Sequence, residues 1–382
     1  MAKATSRNDG GEHAAARPAL IGRLGVLADV QAADRDDAPS FSGVRRRYRD
    51  ALLTARDSAR ALAAESEGVD VLLHLGDLVD MSEAGGRPRE MLSRVLAALE
   101  EGNAEQAHVL GNHCLASWPG SRLELHSELR LFGDASGGAG GGGGAEGGQQ
   151  QLLVSRACPE RGYYSRTLGR GKEGKGARPL RLVALDGFDV SLMGREPGHP
   201  KRLLAEALLR ESNPRNEAGG WFSAEGLSGP ARRFVAFNGG LGGEQLAWLR
   251  AQLEAAEREG QRVVVAVHQP VLPGTANPLC LLWNYDELLE VLRPFGGEKR
   301  TVVATLAGHS HRDGAGVCSA GIVHRVVRGV VEHERTTAGP AASPSSSLPS
   351  PPSPCHAVVD VFDDGSVVIR GSGCDDTRLG SK

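Results

Sequence analysis

Short apolar runs recur along the chain, and most of them stop at a polar side chain. Residues 21–28 form one such run, which ends at Asp29. Residues 69–75 lead to Asp77, 107–110 run into Gly111, and 180–185 end at Asp186. Residues 262–267 end at His268, and 301–306 end near His309. Apolar runs of this length, bounded by turn residues, predict buried strands. Longer stretches with apolar positions three and four apart predict amphipathic helices at 44–66 (closed by Gly68), 89–99 and 243–259. Strands alternating with helices predict an α/β fold. Later runs at 322–331, 357–362 and 367–369 predict a β-rich finish.

Two stretches break this pattern. Residues 136–151 are mostly glycine, and residues 336–354 are rich in Ser and Pro. Neither composition supports a packed element. Both are expected to be insertions in one domain spanning 19–375, because chemistry-bearing residues flank the first and the β-rich finish follows the second. Residues 1–18 have no apolar segment of the kind a secretory signal needs and are expected to be a disordered tail.

Composition narrows the class. The chain has 382 residues, 40% of them hydrophobic, and a formal net charge of −3. That balance argues against a protein that coats nucleic acid. No apolar run approaches the roughly 18 residues that span a membrane. The six cysteines form no CxxC pair, so reduced thiols in a cytoplasmic, monomeric protein are expected.

The candidate chemistry lies where the strands end, which is where open α/β sheets build their sites. Asp29 and Gln31 stand two apart in LADVQ; in an extended segment they would share a face and reach one cation. Asp77 follows Gly76 in GDLVD. Asn112 and His113 follow in GNHC, His268 ends VVVAVH, and His309 and His311 sit in GHSH. These donors suit two divalent cations sharing Asp77. Asp29, Gln31 and His311 complete one set; Asn112, His268 and His309 complete the other. A cation pair about 3.5–4 Å apart acidifies a water and neutralises phosphoryl oxygens. Four oxygen donors against three imidazoles favour Mn²⁺, with Mg²⁺ as the alternative. His74 and His108, inside apolar runs, are expected to be core histidines.

In this order, DxQ, GDLVD, GNH, a strand-final His and GHSH resemble the calcineurin-like metallophosphoesterase superfamily. Gln31 stands where that superfamily usually has His. That substitution resembles the manganese-dependent ADP-ribose/CDP-alcohol diphosphatase family, as do ADVQAAD, FSGVRRRYR, LDGFDVS, FNGGLGGEQLAWL, CLLWNY and RGVVE. The resemblance implies a four-layer α/β-β/α sandwich with a dimetal site at strand C-terminal ends. It implies hydrolysis of ADP-ribose to AMP and ribose 5-phosphate, or of CDP-choline and CDP-glycerol to CMP and the phospho-alcohol. It carries over the seven ligands named above, and gives His113 contact with the scissile phosphate and protonation of the leaving oxygen. Cys114 stands where the superfamily usually has Glu.

For a nucleotidic substrate, Phe41 offers a stacking ring and Arg47, within Arg45–Arg49, offers charge; an Arg run on a solvated helix face is the competing explanation. Phe237 and Asn238 in FNGG, and Cys280 in CLLWNY, are further candidates, although FNGG also suits a helix entry. Two other functions stay open: a cyclic-nucleotide phosphodiesterase or phosphomonoesterase of the same superfamily, and a metal-poor scaffold of the same fold.

Overall fold

The computed structural model describes residues 17–40, 42–118, 122–129, 161–168, 179–335, 353–372 and 376–379. Residues 1–16 of the expected tail, Phe41, the glycine-rich stretch 136–151 and residues 336–352 of the Ser/Pro-rich stretch lie outside them.

Two six-stranded sheets carry the architecture. The first runs Thr377–Leu379, Val367–Ser372, His356–Phe362, Leu20–Leu27, Val71–His74, Gln106–His108. The second runs Gly314–Val317, Val323–Val326, Val302–Ala307, Arg262–Ala266, Leu180–Ala184, Tyr164–Leu168. Leu20–Leu27, Val71–His74 and Gln106–His108 are parallel, as are Leu180–Ala184, Arg262–Ala266, Val302–Ala307 and Val323–Val326. The outer strands add antiparallel edges, and His356–Phe362 pairs with Leu20–Leu27, so both ends of the described chain meet in one sheet.

Side-chain alternation explains the layering. Along the second sheet, Leu180, Leu182, Ala184, Val264 and Ala266 join a core shared with the first sheet. The alternate residues Val183, Val263 and Val265 face Leu249, Leu253 and Ala256 of helix Gly243–Arg258 and Leu288 and Leu292 of helix Tyr285–Leu292. A two-residue period thus sends one set of side chains to each neighbour. The sheets meet so closely at Gly22 that a Cβ there would lie 2.4 Å from the Leu180 side chain. Helices Tyr48–Ala63 and Pro88–Glu100 cover the other face of the first sheet, with Leu62 seated on Gly25. The order is therefore helix, sheet, sheet, helix. Each fully buried Leu or Val contributes on the order of 1.5–3 kcal/mol.

Two predicted elements differ. The helix expected over 44–66 spans Tyr48–Ala63. Arg45 and Arg46 instead pair with Pro39 and Ala38, and the Arg47 N–H donates to Val331 O at 2.7 Å, so tertiary hydrogen bonds take the residues just before the helix. The strand expected over 322–331 ends at Val326, and Val330–Glu332 is a 3-10 turn. The Val330 and Val331 N–H groups donate to Ala28 and Asp29 carbonyls, which binds this turn to the first sheet. Helix Pro200–Ser212 was not foreseen; it buries only Ala205 and Leu209 and leaves Leu203 and Leu204 exposed, so its periodic signal is weak.

Candidate metal centre

Five parallel strands release the chain at one rim of the sandwich, and the seven donors gather there. The local backbone is unusual. Asp29, Gln31, Asp77, His309 and His311 all have φ between 43° and 64°, and they are five of nine non-glycine residues with positive φ among the described residues. Each such residue costs on the order of 1–3 kcal/mol and persists only where surrounding structure enforces it. The expectation that Asp29 and Gln31 converge through strand alternation is therefore corrected: both are left-handed, not extended. What aligns them is a ladder between loops. Asp29 N–H donates to Gly76 O at 3.1 Å, Gln31 N–H to Asp77 O at 2.8 Å and Ala32 N–H to Leu78 O at 3.0 Å.

Glycine makes the approach possible. Gly76 has φ +102°, and a Cβ there would lie 2.4 Å from His268 Nδ1; a Cβ on Gly111 would lie 2.0 Å from Asp77 Oδ1. The His113 N–H donates to Asp77 Oδ1 at 2.7 Å, which fixes that carboxylate and leaves Oδ2 facing inward.

Two groups form around Asp77. In the first, His311 Nε2 lies 3.5 Å from Asp29 Oδ1 and 3.0 Å from Gln31 Nε2, which lies 3.3 Å from Asp77 Oδ2. In the second, His268 Nε2 lies 3.4 Å from Asp77 Oδ2 and 3.2 Å from Asn112 Oδ1. Asp77, His268 and His309 each offer a donor atom within 4.8 Å of the others. The other ring nitrogen of each histidine donates to an oxygen: His268 Nδ1 to Leu75 O at 2.7 Å, His309 Nε2 to Asn238 Oδ1 at 2.8 Å, and His311 Nδ1 to Glu332 Oε1 at 3.0 Å. These partners accept only, so the lone pairs of His268 Nε2, His309 Nδ1 and His311 Nε2 remain for the centre.

The donor set fits divalent cations. Asp29 Oδ1 and Gln31 Oε1 are buried without a hydrogen-bond partner, which is costly unless something positive meets them. Turning the Gln31 amide over would aim Oε1 at the His311 lone pair and the Asp77 carboxylate, an arrangement that a cation between them reconciles. The acids of the centre favour positive charge, whether on an imidazole or on a cation between the donors. Burial opposes charge on His311, yet Asp29 and Glu332 raise it to about 9. Burial opposes charge on His268 too, and Asp77 raises it. Burial and His268 hold His309 well below the usual histidine range. Burial likewise opposes charge on Asp77, but His268 and His113 keep it ionised below the usual carboxylate range.

His113 lies at the edge of this cluster, and its Nδ1 is 2.9 Å from Asp80 Oδ2. Burial opposes charge on Asp80, but His113 and Ser82 hold it down at about 2. Cys114, in the position of the usual Glu, accepts the Leu78 N–H on Sγ at 3.1 Å and so braces the loop that carries Asp77.

The remaining candidates divide. Phe237 is half-buried, with its ring 6.2 Å from that of His309. Asn238 is fully buried and committed to His309, Arg233 O and Leu279 O. Cys280 is half-buried and its thiol bonds Ser310 of GHSH. Arg47 turns to Glu334 at 3.2 Å, while Arg45 and Arg49 pair with Asp37, Asp34 and Asp36, so this Arg run mostly meets nearby acids. Arg46 instead lies 4.0 Å from Glu332, and its buried Nε has no hydrogen-bond partner. His74 and His108 are buried in strands, as expected. Asp80 and Glu332 were missed, although each closes a string already singled out, GDLVD and RGVVE.

Comparison with known proteins points the same way. Residues 22–313 match the family model described as calcineurin-like phosphoesterase. A protein from Arabidopsis thaliana named manganese-dependent ADP-ribose/CDP-alcohol diphosphatase is 32% identical over 318 residues, covering 83% of this chain and 88% of that protein. A Homo sapiens protein of the same name is 30% identical over 311 residues, 81% of this chain and 82% of that one. Among solved structures, a dimetal phosphatase from Danio rerio matches with a TM-score of 0.74 at 27% identity, over 95% of this chain and 100% of that chain.

Proposed function

The chain belongs to the calcineurin-like phosphoesterase family and, within it, to the manganese-dependent ADP-ribose/CDP-alcohol diphosphatases, and from that premise we propose that it hydrolyses the diphosphate bond of nucleoside diphosphate derivatives. ADP-ribose plus water would yield AMP and ribose 5-phosphate; CDP-choline or CDP-glycerol would yield CMP and the phospho-alcohol. The observation that carries this reading is the pair of buried donor groups joined through Asp77, with the unpartnered Asp29 Oδ1 3.5 Å from His311 Nε2 in one of them.

Asp29, Gln31 and His311 would hold one cation and Asn112, His268 and His309 the other, with Asp77 shared. When bound, Mn²⁺ or Mg²⁺ supplies charge for the phosphoryl oxygens and acidifies the attacking water. The chain's own residues do the rest. Asp77 is held by the His113 N–H and fixes the spacing of the two groups. His113 Nδ1 is held by the Met81 N–H at 3.2 Å and beside Asp80 Oδ2, which leaves Nε2 as the proton donor to the leaving oxygen. The half-exposed ring of Phe237 beside His309 offers a surface for a base or ribose. Arg47 and Cys280 remain candidates for the rim of that pocket.

The near-neutral charge supports a small-molecule substrate over nucleic acid. Cys114, Cys280 and Cys318, which form no disulfide among the described residues, support a reducing, cytoplasmic setting, and no helix among the described residues is long and apolar enough to cross a membrane. We take residues 19–375 as one domain, since strands from both ends pair in one sheet, and the working form as a monomer, which light scattering checks. The test of function is a panel of ADP-ribose, CDP-choline, CDP-glycerol, a cyclic nucleotide and a phosphomonoester, each with Mn²⁺ and with Mg²⁺. The two phosphorylated products of a diphosphate are expected with Mn²⁺. Faster turnover of the cyclic nucleotide or the monoester would replace this reading.

A further inference from the structure

We propose that Glu332 positions His311 for its cation and, with Arg46 behind it, makes the Asp29 side of the centre the tighter-binding one. The inference rests on the dimetal reading above and adds a residue to it. The Glu332 carboxylate receives the His311 Nδ1 proton at 3.0 Å. That hydrogen bond fixes the ring orientation and leaves the Nε2 lone pair facing Asp29 and Gln31. A carboxylate on the far nitrogen also makes an imidazole a better cation donor.

Glu332 has little freedom to do otherwise. Its side chain is about nine-tenths buried, with relative exposure of 9%. It sits on the 3-10 turn Val330–Glu332, whose Val330 and Val331 N–H groups are bonded to Ala28 O and Asp29 O. The next residue but one after Asp29 is Gln31, so the backbone that aims two donors also anchors the turn that aims the third. Arg46 lies 4.0 Å from the same Glu332 oxygen and has an exposure of 16%. Its charge keeps a buried carboxylate tolerable beside Asp29 and Asp77. The neighbouring imidazoles lack this arrangement: His268 has a backbone carbonyl and His309 an amide oxygen.

The test is Mn²⁺ titration of the metal-stripped full chain, read from the electron paramagnetic resonance signal of free Mn²⁺, for wild type, Glu332→Gln and Glu332→Asp. Wild type should show two affinities. Glu332→Gln should weaken the tighter one about 10- to 100-fold, leaving the weaker affinity unchanged; Glu332→Asp, which keeps the charge, should recover part of the loss. Two unchanged affinities would overturn the proposal, as would equal weakening of both, the mark of a merely structural role. Should Glu332→Gln not fold, ¹⁵N-histidine spectra of the wild-type chain with Zn²⁺ decide: a protonated Nδ1 on His311 is expected, and a protonated Nε2 overturns it. Failure of wild type to bind two Mn²⁺ would instead sink the dimetal reading itself.

Discussion

The two sides of the centre have the same number of side-chain donors and different electrostatics. Asp29, Gln31 and His311 bring one carboxylate of their own, with Glu332 as a second just behind the imidazole. Asn112, His268 and His309 bring none; their imidazoles rest on Leu75 O and Asn238 Oδ1. Both sides share Asp77. Coulomb energy scales inversely with distance and local dielectric, so an extra buried carboxylate near contact matters more than any surface charge. A ligand inventory alone does not rank two neighbouring sites; the groups behind the ligands do.

The strongest way to break the comparison is to remove what the sides share. Asp77→Asn keeps the shape and deletes the charge common to both groups. Turnover of ADP-ribose with Mn²⁺ is expected to fall at least about 100-fold, and bound metal to fall with it. Near-wild-type turnover in metal-defined buffer would show that Asp77 is not shared.

Next come the sides one at a time. Asp29→Asn should abolish the tighter Mn²⁺ affinity and spare the weaker, whereas Asn112→Ala should do the reverse, each by about 10- to 100-fold. The readout is the same free-Mn²⁺ titration. If both variants lost the same affinity, the partition of donors into two groups would be wrong. Gln31→His adds a sharper edge: replacing an oxygen donor with nitrogen should move the preferred ion away from Mn²⁺ toward Zn²⁺, measured as reactivation of metal-stripped enzyme.

A smaller effect is expected at His113, the proposed proton donor, which belongs to the second side by sequence. His113→Ala should slow ADP-ribose cleavage roughly 10- to 100-fold more than cleavage of a p-nitrophenyl nucleotide ester, whose leaving group needs little protonation. Asp80→Asn should move kcat in the same direction by less, because the ring stays but its orientation loosens. Equal losses on both substrates would reduce His113 to a group that positions phosphate.

Much of this was legible in the chain and part was not. The strand ends were readable because buried parallel strands are apolar runs closed by turns, and the donors stood at those closures in a fixed order. The backbone at the donors was not readable. Pattern reasoning assumes ordinary φ, and Asp29, Gln31, Asp77, His309 and His311 are all left-handed. The helix start at Tyr48 was hidden because the competing partner of the Arg47 N–H lies at Val331, hundreds of residues away. Asp80 and Glu332 escaped for a related reason: each acts on the far nitrogen of a histidine, a relation in space that spacing along the chain does not encode. Arg47 pairs with Glu334, a partner that an arginine run does not reveal along the chain.

The smallest and most discriminating perturbation is at Asn238. Its amide is held in one orientation, because Nδ2 donates to Arg233 O at 2.8 Å and Leu279 O at 2.7 Å, leaving Oδ1 to accept from His309 Nε2. It therefore does for the second side what Glu332 does for the first, without a charge. A hydrogen bond to an ionised acceptor is roughly twice as strong as a neutral one. Asn238→Ala should weaken the lower Mn²⁺ affinity only a few-fold, less than Glu332→Gln weakens the higher. Asn238→Ala carries a stability cost as well. It removes a fully buried side chain and leaves the carbonyls of Arg233 and Leu279 without their donor, each at a cost of at most about 1–3 kcal/mol, so its Tm should fall. Differential scanning calorimetry of the metal-stripped variants beside the Mn²⁺ titration separates the two quantities. A large affinity loss at Asn238 with no change in Tm would mean that the second side depends on its supporting group as strongly as the first, and the asymmetry between the sides would fail.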